Sequence, residues 1–458
     1  MKPGTERRAP ALGTLREREA AGRALRARVP RKAHAHWKTQ GARRDPIAIL
    51  EESNRGRLPE LKPVRYGRMV RSPFTFLRGS AAVMAYDLAR TPVTGARVQA
   101  CGDCHLLNFG LFATPEPQLV FDINDFDETH PGPWEWDLKR LVASIVVACR
   151  DNSLSDVQAR DAALECARAY REHMATCARM SPTEVWYEHM DFQTAIEDAP
   201  DAEAKKIRKR LAAKARQRIV EHLFPKITQS AGGQHLLVDQ PPLLFHAADT
   251  DFEEQARSAL SDYRQSLPDD RRLLLDRYHL VDFALKVVGI GSVGTRCYVA
   301  LLMSDESHPL MLQFKEAERS VLEPYTQKSA YDNQGQRVVI GQRMMQSSSD
   351  IFLGWARSKY GYDFYVRELR DTKISVPLDE LSAKRVAEYA DGCGWTLARA
   401  HAKSGDAAVL ARYLGKGDRI DRALVKFAVA YADQTERDHA ALVKAVRSGR
   451  VEILTEED

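Results

Sequence analysis

Two kinds of hydrophobic patterning alternate along the chain. Apolar positions recur at helical spacing from Trp134 to Arg150, through residues 154 to 219, and again from Val386 through Ala440. Between the last two helical regions, short β-rich runs separated by glycines and charged turns begin near Val281. The pattern predicts an α+β protein in which a mainly helical part is interrupted by a small β-rich unit.

Shorter patterns predict individual elements. Gln118 to Ile123 is typical of a short buried strand, and a helix is expected over 81 to 88, after the breakers Ser72 and Pro73. In the β-rich unit, strands are predicted at "FALKVVGIGSVGTRCYVALLM" and "LMLQFK". We interpret "EAERSVLE" as a short helix and "RVVIGQRMMQ" as a further pair of strands.

Composition limits the class of protein. Of the 458 residues, 44% are hydrophobic and 29% are charged, which is typical of a globular chain. No apolar run approaches the roughly 18 residues of a bilayer span, so no membrane span is expected. The seven cysteines are scattered and odd in number. Together with the lack of an apolar export signal, this predicts reduced thiols and a cytoplasmic location.

A basic arm is predicted at residues 1 to 45. Residues 1 to 44 hold thirteen Lys and Arg against three Glu. Such an arm can contact nucleic acid or an anionic surface, but a solvated or partly helical tail is the simpler interpretation of the same composition.

The stretch "ACGDCHLLNFG" at residues 100 to 110 has two main interpretations. Cys101, Cys104 and His105 match the CxxCH pattern of c-type haem attachment, whereas the same stretch also spells GDxHxxN, the catalytic loop of small-molecule phosphotransferases. Haem is attached outside the cytosol, and a zinc site would need a second Cys/His pair nearby, so both are disfavoured. The DxH of the stretch also begins many two-metal phosphoesterase sites, but the Asn-His pair of those sites is missing from the sequence.

Phosphoryl transfer requires three groups in order along the chain. They are an aspartate that orients the attacking hydroxyl, an oxygen ligand for magnesium, and a carboxylate on a following strand. Asp103 and Asn108 match the first two, and the cluster "FDINDFDE" matches the third. The fourteen residues from Asn108 to Asp122 suffice for a hairpin that returns the chain beside the loop. This spacing favours Asp122 as a metal ligand.

The segments "GDCHLLN", "VFDINDFDE" and "PGPWEWDLKRL", in this order, resemble the catalytic core of the aminoglycoside and choline phosphotransferase branch of protein-kinase-like enzymes. The resemblance implies that Asp103 is the catalytic base, with His105 among the catalytic residues, and that Asn108 binds magnesium. It also implies that Asp137 braces the catalytic loop through backbone amides. Counting back from Asp137 favours Asp125 as the metal ligand, so two aspartates remain alternatives.

A kinase also needs a glycine-rich cover over the phosphates and a strand lysine. Both candidates follow the catalytic motif along the chain. "GIGSVG" is a GxGxxG between two predicted strands, and Lys315 ends "LMLQFK". Either Glu318 or Glu323 could pair with this lysine. The residues assigned to nucleotide binding are Gly289, Gly291, Ser292, Gly294, Lys315 and Glu323.

This order implies a two-lobed protein-kinase-like fold that is circularly permuted. The helix ending "TLARAHA" resembles the one that ordinarily runs into the catalytic loop, yet it comes last. A permutation costs little when the ordinary termini lie at the surface. The predicted segments are the basic arm at 1–45, a large helical lobe with the catalytic loop and metal strand at 46–275, a small β-rich nucleotide lobe at 276–350, and a helical segment completing the large lobe at 351–458.

Over nearly all of residues 30 to 445 the chain is also similar to a bacterial family, domain of unknown function 2252. The matching segments are "RYGRMVRSPFTFLRGSA", the stretch from the catalytic motif through "PGPWEWDLKRLVAS", "SDIFLGW" and "FYVRELRDTK". Within them Arg78, Arg367 and Arg370 are candidates to hold an anionic substrate or a phosphate. A structural ion pair is the simpler role for each of them.

These patterns predict ATP- and magnesium-dependent phosphoryl transfer to a hydroxyl of a small molecule or a protein. Nucleotidyl transfer by the same fold is a close alternative, and a nucleotide-binding pseudokinase is the non-enzymatic one. A metal-dependent phosphoesterase ranks below these. The sequence does not identify the acceptor or the oligomeric state.

Overall fold

The computed structural model describes residues 13–38, 43–116, 118–216, 224–225, 227–231, 234–241, 243–246, 252–287, 289–305, 307–369 and 377–454. Over these residues the protein is a mixed α+β chain, which confirms the class predicted from the patterning. None of the helices in these ranges is both long and apolar enough to cross a membrane. All seven cysteines are buried and free.

Helices lie before, within and after the β-rich unit. The earlier ones are α1 (Leu15–Arg28), α2 (Pro46–Ser53), α3 (Lys62–Met69), α4 (Pro73–Gly79), α5 (Ala81–Leu88), α6 (Trp134–Asp151), α7 (Asp156–Cys177), α8 (Pro182–Tyr187), α9 (Phe192–Glu197), α10 (Ala202–Arg216), α11 (Phe252–Ser266) and α12 (Asp269–Leu275). The later ones are α13 (Gln334–Met345), α14 (Ala383–Ser404), α15 (Ala407–Leu414) and α16 (Arg419–Arg447).

The described strands form four sheets in which neighbouring strands are antiparallel. They are β1 (Arg97–Ala100), β2 (Phe109–Ala113), β3 (Leu119–Ile123), β4 (His130–Pro133), β5 (Met190–Asp191), β6 (Thr228–Ala231), β7 (Gln234–Leu237), β8 (Leu244–Phe245), β9 (His279–Lys286), β10 (Cys297–Met303), β11 (Pro309–Glu316), β12 (Gly354–Arg357) and β13 (Asp363–Glu368). The sheets are β1-β4, β2-β3-β5, β6-β7 and the six-stranded β12-β13-β11-β10-β9-β8.

The helical core is built around α6. All of its residues from Trp134 to Cys149 are buried, because α7, α14 and α16 pack around it. Helices α7 and α14 approach closely at Gly394, where a Cβ would lie 2.1 Å from the carbonyl oxygen of Cys166. Only glycine permits this separation, since any side chain there would clash with the backbone of α7.

The six-stranded sheet orients Lys315 by strand alternation. Leu312 and Phe314 on β11 belong to a core cluster with Tyr263 of α11. Side chains of successive strand residues point to opposite faces, so Lys315 lies on the other face of the sheet. Its register partners are Cys297 on β10 and Tyr365 on β13. The lysine is therefore held in the middle of the sheet, away from α11.

Two predicted elements of the β-rich unit are wrong. "RVVIGQRMMQ" forms helix α13, in which Val338, Val339 and Met345 are buried in the main core. The side chain of Asn333 caps this helix by accepting a hydrogen bond from the Gln336 amide. Tertiary burial of one helical face and a good cap thus outweigh the strand preference of the valines.

The segment "EAERSVLE" is not a helix. Its amides bond to other parts of the chain: Ala317 donates to the Asp363 carbonyl, and Val321 donates to the Glu128 carboxylate at 2.7 Å. In a helix, each of these amides would instead donate to the carbonyl four residues earlier. A short 3₁₀ turn at Glu323–Tyr325 is the helical structure found in this region of the described chain.

The described part of the basic arm is a docked helix. Arg18 of α1 forms a bidentate contact with Asp406, 2.8 Å at its shortest. Arg26 and Arg31 donate to the carbonyls of Tyr413 and Leu414, at 2.9 and 2.7 Å, at the end of α15. These carbonyls have no partner inside the helix, so the arginines cap α15.

Candidate functional site

A cleft of about 440 Å³ lies where several separate segments of the chain meet. One wall is formed by the helices between residues 52 and 82, and a second by the 101–108 loop and the acidic residues after β3. The turn between β9 and β10 and the segment after β11 complete it. Sequence-predicted residues that line it are Arg78, Asp103, His105, Asn108, Asp125, Gly289, Gly291 and Ser292.

Asp137, at the start of α6, binds the backbone of the 101–108 loop. The Asp137 carboxylate accepts hydrogen bonds from the backbone amides of Cys101 at 2.6 Å and Gly102 at 2.9 Å. His401 of α14 approaches the same carboxylate, with Nε2 3.1 Å from Oδ2. Gly102 has a φ of 85°, and a Cβ there would lie 2.3 Å from the Glu128 carbonyl, so the turn requires glycine.

Asp103 points into the cleft and pairs with Arg140 of α6. Arg140 Nε donates to Asp103 Oδ1 at 2.6 Å, and its Nη2 contacts the same oxygen. Both contacts fall on Oδ1, and 20% of the Asp103 side chain is exposed. Burial raises the pKa of this carboxyl above its ordinary value, although Arg140 and Arg78 act in the opposite direction.

Asn108 and His105 follow in the same loop. Asn108 Nδ2 donates to the Asp103 carbonyl at 2.5 Å, which ties up the amide nitrogen and leaves Oδ1 as the acceptor of this side chain. His105 is buried, and its Nδ1 has no hydrogen-bond partner among the described residues. Burial, with Arg78 and Arg140 nearby, lowers the pKa of His105 well below its ordinary value, so the ring is neutral at neutral pH.

The two alternative metal aspartates lie in different surroundings. Asp122 is buried, with Oδ1 bound to Arg399 Nη2 at 2.5 Å and Oδ2 bound to the amide and hydroxyl of Ser347 at 2.8 Å. Asp125 lines the cleft, and 40% of its side chain is exposed. Asp122 therefore belongs to a structural ion pair outside the cleft, and Asp125 is the one of the two that faces it.

Lys315 meets Asp127, two residues beyond Asp125. Its Nζ forms an ion pair with Asp127 Oδ2 and lies 3.9 Å from Asp125 Oδ1. Tyr365 donates its hydroxyl proton to Asp127 Oδ1 at 2.8 Å. Burial opposes ionisation of Asp127, but the lysine and the tyrosine outweigh it and lower its pKa. Burial likewise opposes the charge of Lys315, and the two aspartates outweigh it and raise its pKa.

The glycine turn between β9 and β10 reaches the same aspartate. Ser292 Oγ donates to Asp127 Oδ2 at 3.0 Å across 165 residues of sequence. Gly289 and Gly294 have φ values of 67° and 89°, the left-handed region that favours glycine. Gly291 has no such φ, but a Cβ there would come within 3.4 Å of the Arg78 carbonyl. The turn therefore lies directly over the end of α4.

Glu323 does not take the position that the sequence suggested. In its place Asp127 pairs with Lys315, while Glu323 lies in the 3₁₀ turn, where its buried Oε2 has no partner among the described residues. Arg337 of α13 instead binds the acidic loop. Its guanidinium donates to the carbonyls of Thr129 at 2.6 Å, Asp127 at 2.8 Å and Glu318 at 2.7 Å.

The three candidate anion-binding arginines are found in different places. Arg78 lines the cleft beside Asp103, and its buried Nε has no hydrogen-bond partner among the described residues. Arg367 donates to Gln313 Oε1 from Nε at 2.9 Å and from Nη2 at 2.8 Å. Arg370 lies outside the described residues. Of the two arginines that can be located, Arg78 is the one with unused donors at the cleft.

A match to a protein-family model identifies the family of this chain. The model described as "Uncharacterized protein conserved in bacteria (DUF2252)" matches residues 57–445. The chain belongs to the DUF2252 family. The match begins after α2 and ends in α16, so it includes all of the cleft-lining residues except those between 52 and 56. Comparison with curated proteins and with solved structures gives no match.

Three residues in or next to the DUF2252 cleft were not assigned a role by sequence reasoning. Arg140 binds Asp103, Asp127 binds Lys315, and Tyr365 binds Asp127. Each of these contacts joins segments that lie far apart in the sequence, so the packing of the chain had to be known first. A local signal existed for Asp127, since it is the last aspartate of "FDINDFD" and lies two residues after Asp125. Arg140 lies in "WDLKRL", three residues after Asp137, which puts both on one face of α6.

Proposed function

We propose that this DUF2252 protein is an ATP- and magnesium-dependent phosphotransferase that acts on a hydroxyl group. The observation that best supports the proposal is that Asp103, Asn108 and Asp125 line one cleft with the glycine turn, beside Lys315. Phosphoryl transfer is achieved mainly by positioning and by stabilising charge, and these are the groups that such chemistry uses.

We also propose that the fold is a circularly permuted protein-kinase-like fold. In support, the glycine turn, the Lys315 strand, α13 and two further strands lead into α14, which resembles the helix that ordinarily precedes a catalytic loop. The end of α14 touches the strand that does precede the loop in this chain. The Gln99 amide of β1 donates to Ser404 Oγ at 2.8 Å, although the two residues are 305 positions apart. In the ordinary order, α14 would lead directly into β1.

In the proposed reaction, Asp103 orients the acceptor hydroxyl. Arg140 holds Oδ1, so Oδ2 is the oxygen that can accept a hydrogen bond from the acceptor. The acceptor oxygen attacks the terminal phosphorus of ATP, the bond from that phosphorus to the bridging oxygen breaks, and ADP leaves. Asp103 Oδ2 takes the acceptor proton as charge develops. Arg78, which lines the cleft beside Asp103, offers guanidinium donors to the transferred phosphoryl group.

The acidic side of the cleft fits a magnesium ion. Magnesium takes oxygen ligands and keeps several waters, with one or two carboxylates and substrate phosphates. Asn108 Oδ1 and the exposed carboxylate of Asp125 suit this role. Asp122 does not, because both its oxygens are bound to Arg399, Ser347 and the Ile123 amide. Bound magnesium would neutralise charge on the terminal phosphates of ATP.

A matched pair of substitutions tests the proposal. Affinity for ATP with magnesium is measured by isothermal titration calorimetry on Asp125→Asn and Asp122→Asn. We expect Asp125→Asn to weaken binding at least about tenfold, since even an outer-shell partner of a metal ligand is worth that much, and to leave stability nearly unchanged. Asp122→Asn should lower the unfolding temperature and leave the affinity of the folded protein within about twofold.

Turnover is measured in parallel with γ-labelled and with α-labelled ATP, on a panel of hydroxyl compounds and proteins, with Asp103→Asn as the inactive control. Failure of the wild-type protein to bind ATP with magnesium would refute the proposal. Binding without any transfer would indicate a pseudokinase, and transfer of label from the α-phosphate would indicate nucleotidyl transfer. Equal binding by both aspartate variants would refute the assignment of Asp125.

A further inference from the structure

Three side chains that commonly bind metals meet at the end of α7, outside the cleft. His173 and Cys177 are one turn apart on α7 and share a face of that helix. Glu188 follows α8 and turns back toward them. His173 Nε2 lies 3.0 Å from Glu188 Oε2, and Cys177 Sγ lies 3.5 Å from that nitrogen and 3.7 Å from that oxygen.

This triangle of atoms fits one face of a zinc tetrahedron. Zinc binds sulfur at about 2.3 Å, histidine nitrogen at about 2.0 Å and carboxylate oxygen at about 2.1 Å. Tetrahedral angles then put the sulfur about 3.6 Å from each of the other two ligand atoms, and the nitrogen about 3.4 Å from the oxygen. The two measured distances from sulfur agree within about 0.1 Å, and the third is shorter by about 0.4 Å. Moving His173 Nε2 and Glu188 Oε2 apart by about 0.4 Å would give all three distances of a tetrahedral zinc site.

The ligands are already positioned. His173 and Cys177 are buried, with 6% and 2% of their surface exposed. The His173 ring stacks on Trp395 of α14, with ring centroids 4.1 Å apart, which fixes its orientation. In the described part of the chain, no other three ligand atoms of His, Cys, Asp or Glu lie within 4.8 Å of one another. A soft metal ion therefore has one preorganised site in this region, distinct from the oxygen-lined cleft.

We propose that His173, Cys177 and Glu188 bind a zinc ion, with water or another small ligand in the fourth position. Binding releases one proton. The Cys177 thiol gives its proton to solvent as the S–Zn bond forms, and the imidazole proton moves from Nε2 to Nδ1 so that Nε2 can bind the metal. The hydrogen bond between His173 and Glu188 is replaced by two metal bonds.

The ion would fix the segment around Glu188 to the helical core. Two residues after Glu188, strand β5 pairs with β3, through Phe121 with Met190 and Val120 with Asp191. His189 and Trp395 also line an apolar cavity of about 570 Å³ on this side of the molecule. Zinc at this position would therefore hold one wall of the cavity and the edge of the sheet that leads to the acidic cluster.

The test uses the full chain, stripped of metal and then dialysed against zinc or cobalt. We expect about one equivalent of zinc per chain by elemental analysis, and release of about one proton per zinc added in weak buffer. The cobalt form should show a thiolate-to-cobalt charge-transfer band together with the visible bands of tetrahedral cobalt. Glu188→Gln and Cys177→Ser should lose the bound zinc, and Cys177→Ser should lose the charge-transfer band.

Two controls keep the outcome decisive. Cys166→Ser removes another buried cysteine from the same helix and should retain zinc and the cobalt band. Glu188→Gln keeps an acceptor for the His173 hydrogen bond, so its metal-free fold should melt within a few degrees of the wild type. Cobalt binding without a thiolate band, or equal zinc content in the wild type and Glu188→Gln, would refute the site.

Discussion

The ion pair between Lys315 and Asp127 connects the six-stranded sheet to the acidic loop, and a double-mutant cycle can measure its strength. The side chains of Lys315 and Asp127 are 4% and 28% exposed. Removing one partner of a buried pair costs about 3–5 kcal/mol, because it leaves a charge without compensation. In Lys315→Met, Asp127 keeps its bonds from Tyr365 and Ser292 and some contact with water. We therefore expect a loss of about 2–3 kcal/mol in the free energy of unfolding.

The other single variant of the cycle, Asp127→Asn, should lower the free energy of unfolding less than Lys315→Met does. In Asp127→Asn, Lys315 retains Asp125 at 3.9 Å, so part of its charge stays compensated. We expect a loss of about 1–2 kcal/mol. The double variant has no unpaired buried charge and should lose less than the sum of the single variants by at least about 1.5 kcal/mol. Equilibrium unfolding in urea, followed by circular dichroism at neutral pH, measures all four proteins.

An exposed pair provides the matched control. Arg422 of α16 and Asp418, the N-cap residue of this helix, are 72% and 53% exposed, and their coupling should not exceed about 0.5 kcal/mol. If Lys315→Met and Asp127→Asn are additive within about 0.5 kcal/mol, the pair does not join the sheet to the acidic loop, and our description of the cleft is wrong.

Three further predictions concern the loops around the cleft. Burial raises the pKa of Glu128 from 4.5 to about 7, so its contribution to stability is complete below pH 4.5 and is lost as the pH rises through about 7. Urea titrations should therefore show that the free energy of unfolding falls between about pH 5 and pH 8. Glu128→Gln should reduce this fall by up to about 3 kcal/mol. Asp137→Asn should cost about 3 kcal/mol in the same assay, because the new amide group cannot accept from both loop amides, whereas exposed Asp161→Asn should cost less than about 0.5 kcal/mol. Gly294→Ala, at φ 89°, should lower the free energy of unfolding by about 1–2 kcal/mol, whereas Gly291→Ala, at an ordinary φ, should change it by under about 0.5 kcal/mol. Equal effects of the two aspartate variants, or of the two glycine variants, would contradict these assignments.

The sequence was most informative where the signal is local. Helix α6 was expected from Trp134 to Arg150 and is found at Trp134–Asp151, because its apolar run sits between clear breakers. The hairpin that returns the chain beside the 101–108 loop was expected from spacing alone, and β2 pairs with β3 with Gly110 opposite Asp122. Short-range spacing therefore predicted that Asp103, Asn108 and the acidic cluster after β3 lie close together, but it left both Asp122 and Asp125 as metal-ligand candidates.

Prediction from the sequence failed where contacts with distant segments determine the structure. The valines of "RVVIGQRMMQ" favour a strand locally, and burial against the helical core makes the segment α13. The partner of Lys315 could not be chosen by counting along the chain, since Asp127 precedes it by almost two hundred residues and lies in the turn between β3 and β4. Asp122 and Asp125 have the same chemistry and lie three positions apart, and what distinguishes them is that the distant residues Arg399 and Ser347 bind Asp122.

The positions of the site's segments along the chain also set the order in which these segments are synthesised. The ribosome delivers the 101–108 loop and the acidic cluster first, and the groups that neutralise or brace them, Lys315 and His401, much later. Until those arrive, Asp127 lacks its ion pair with Lys315, Asp137 lacks its contact with His401, and α6 lacks α14 and α16, two of the helices that pack on it. Nascent chains that stop before α14 therefore hold every residue that lines the cleft but lack two of the helices that pack on α6, so the proposed activity should begin only when nearly all of the chain has been made.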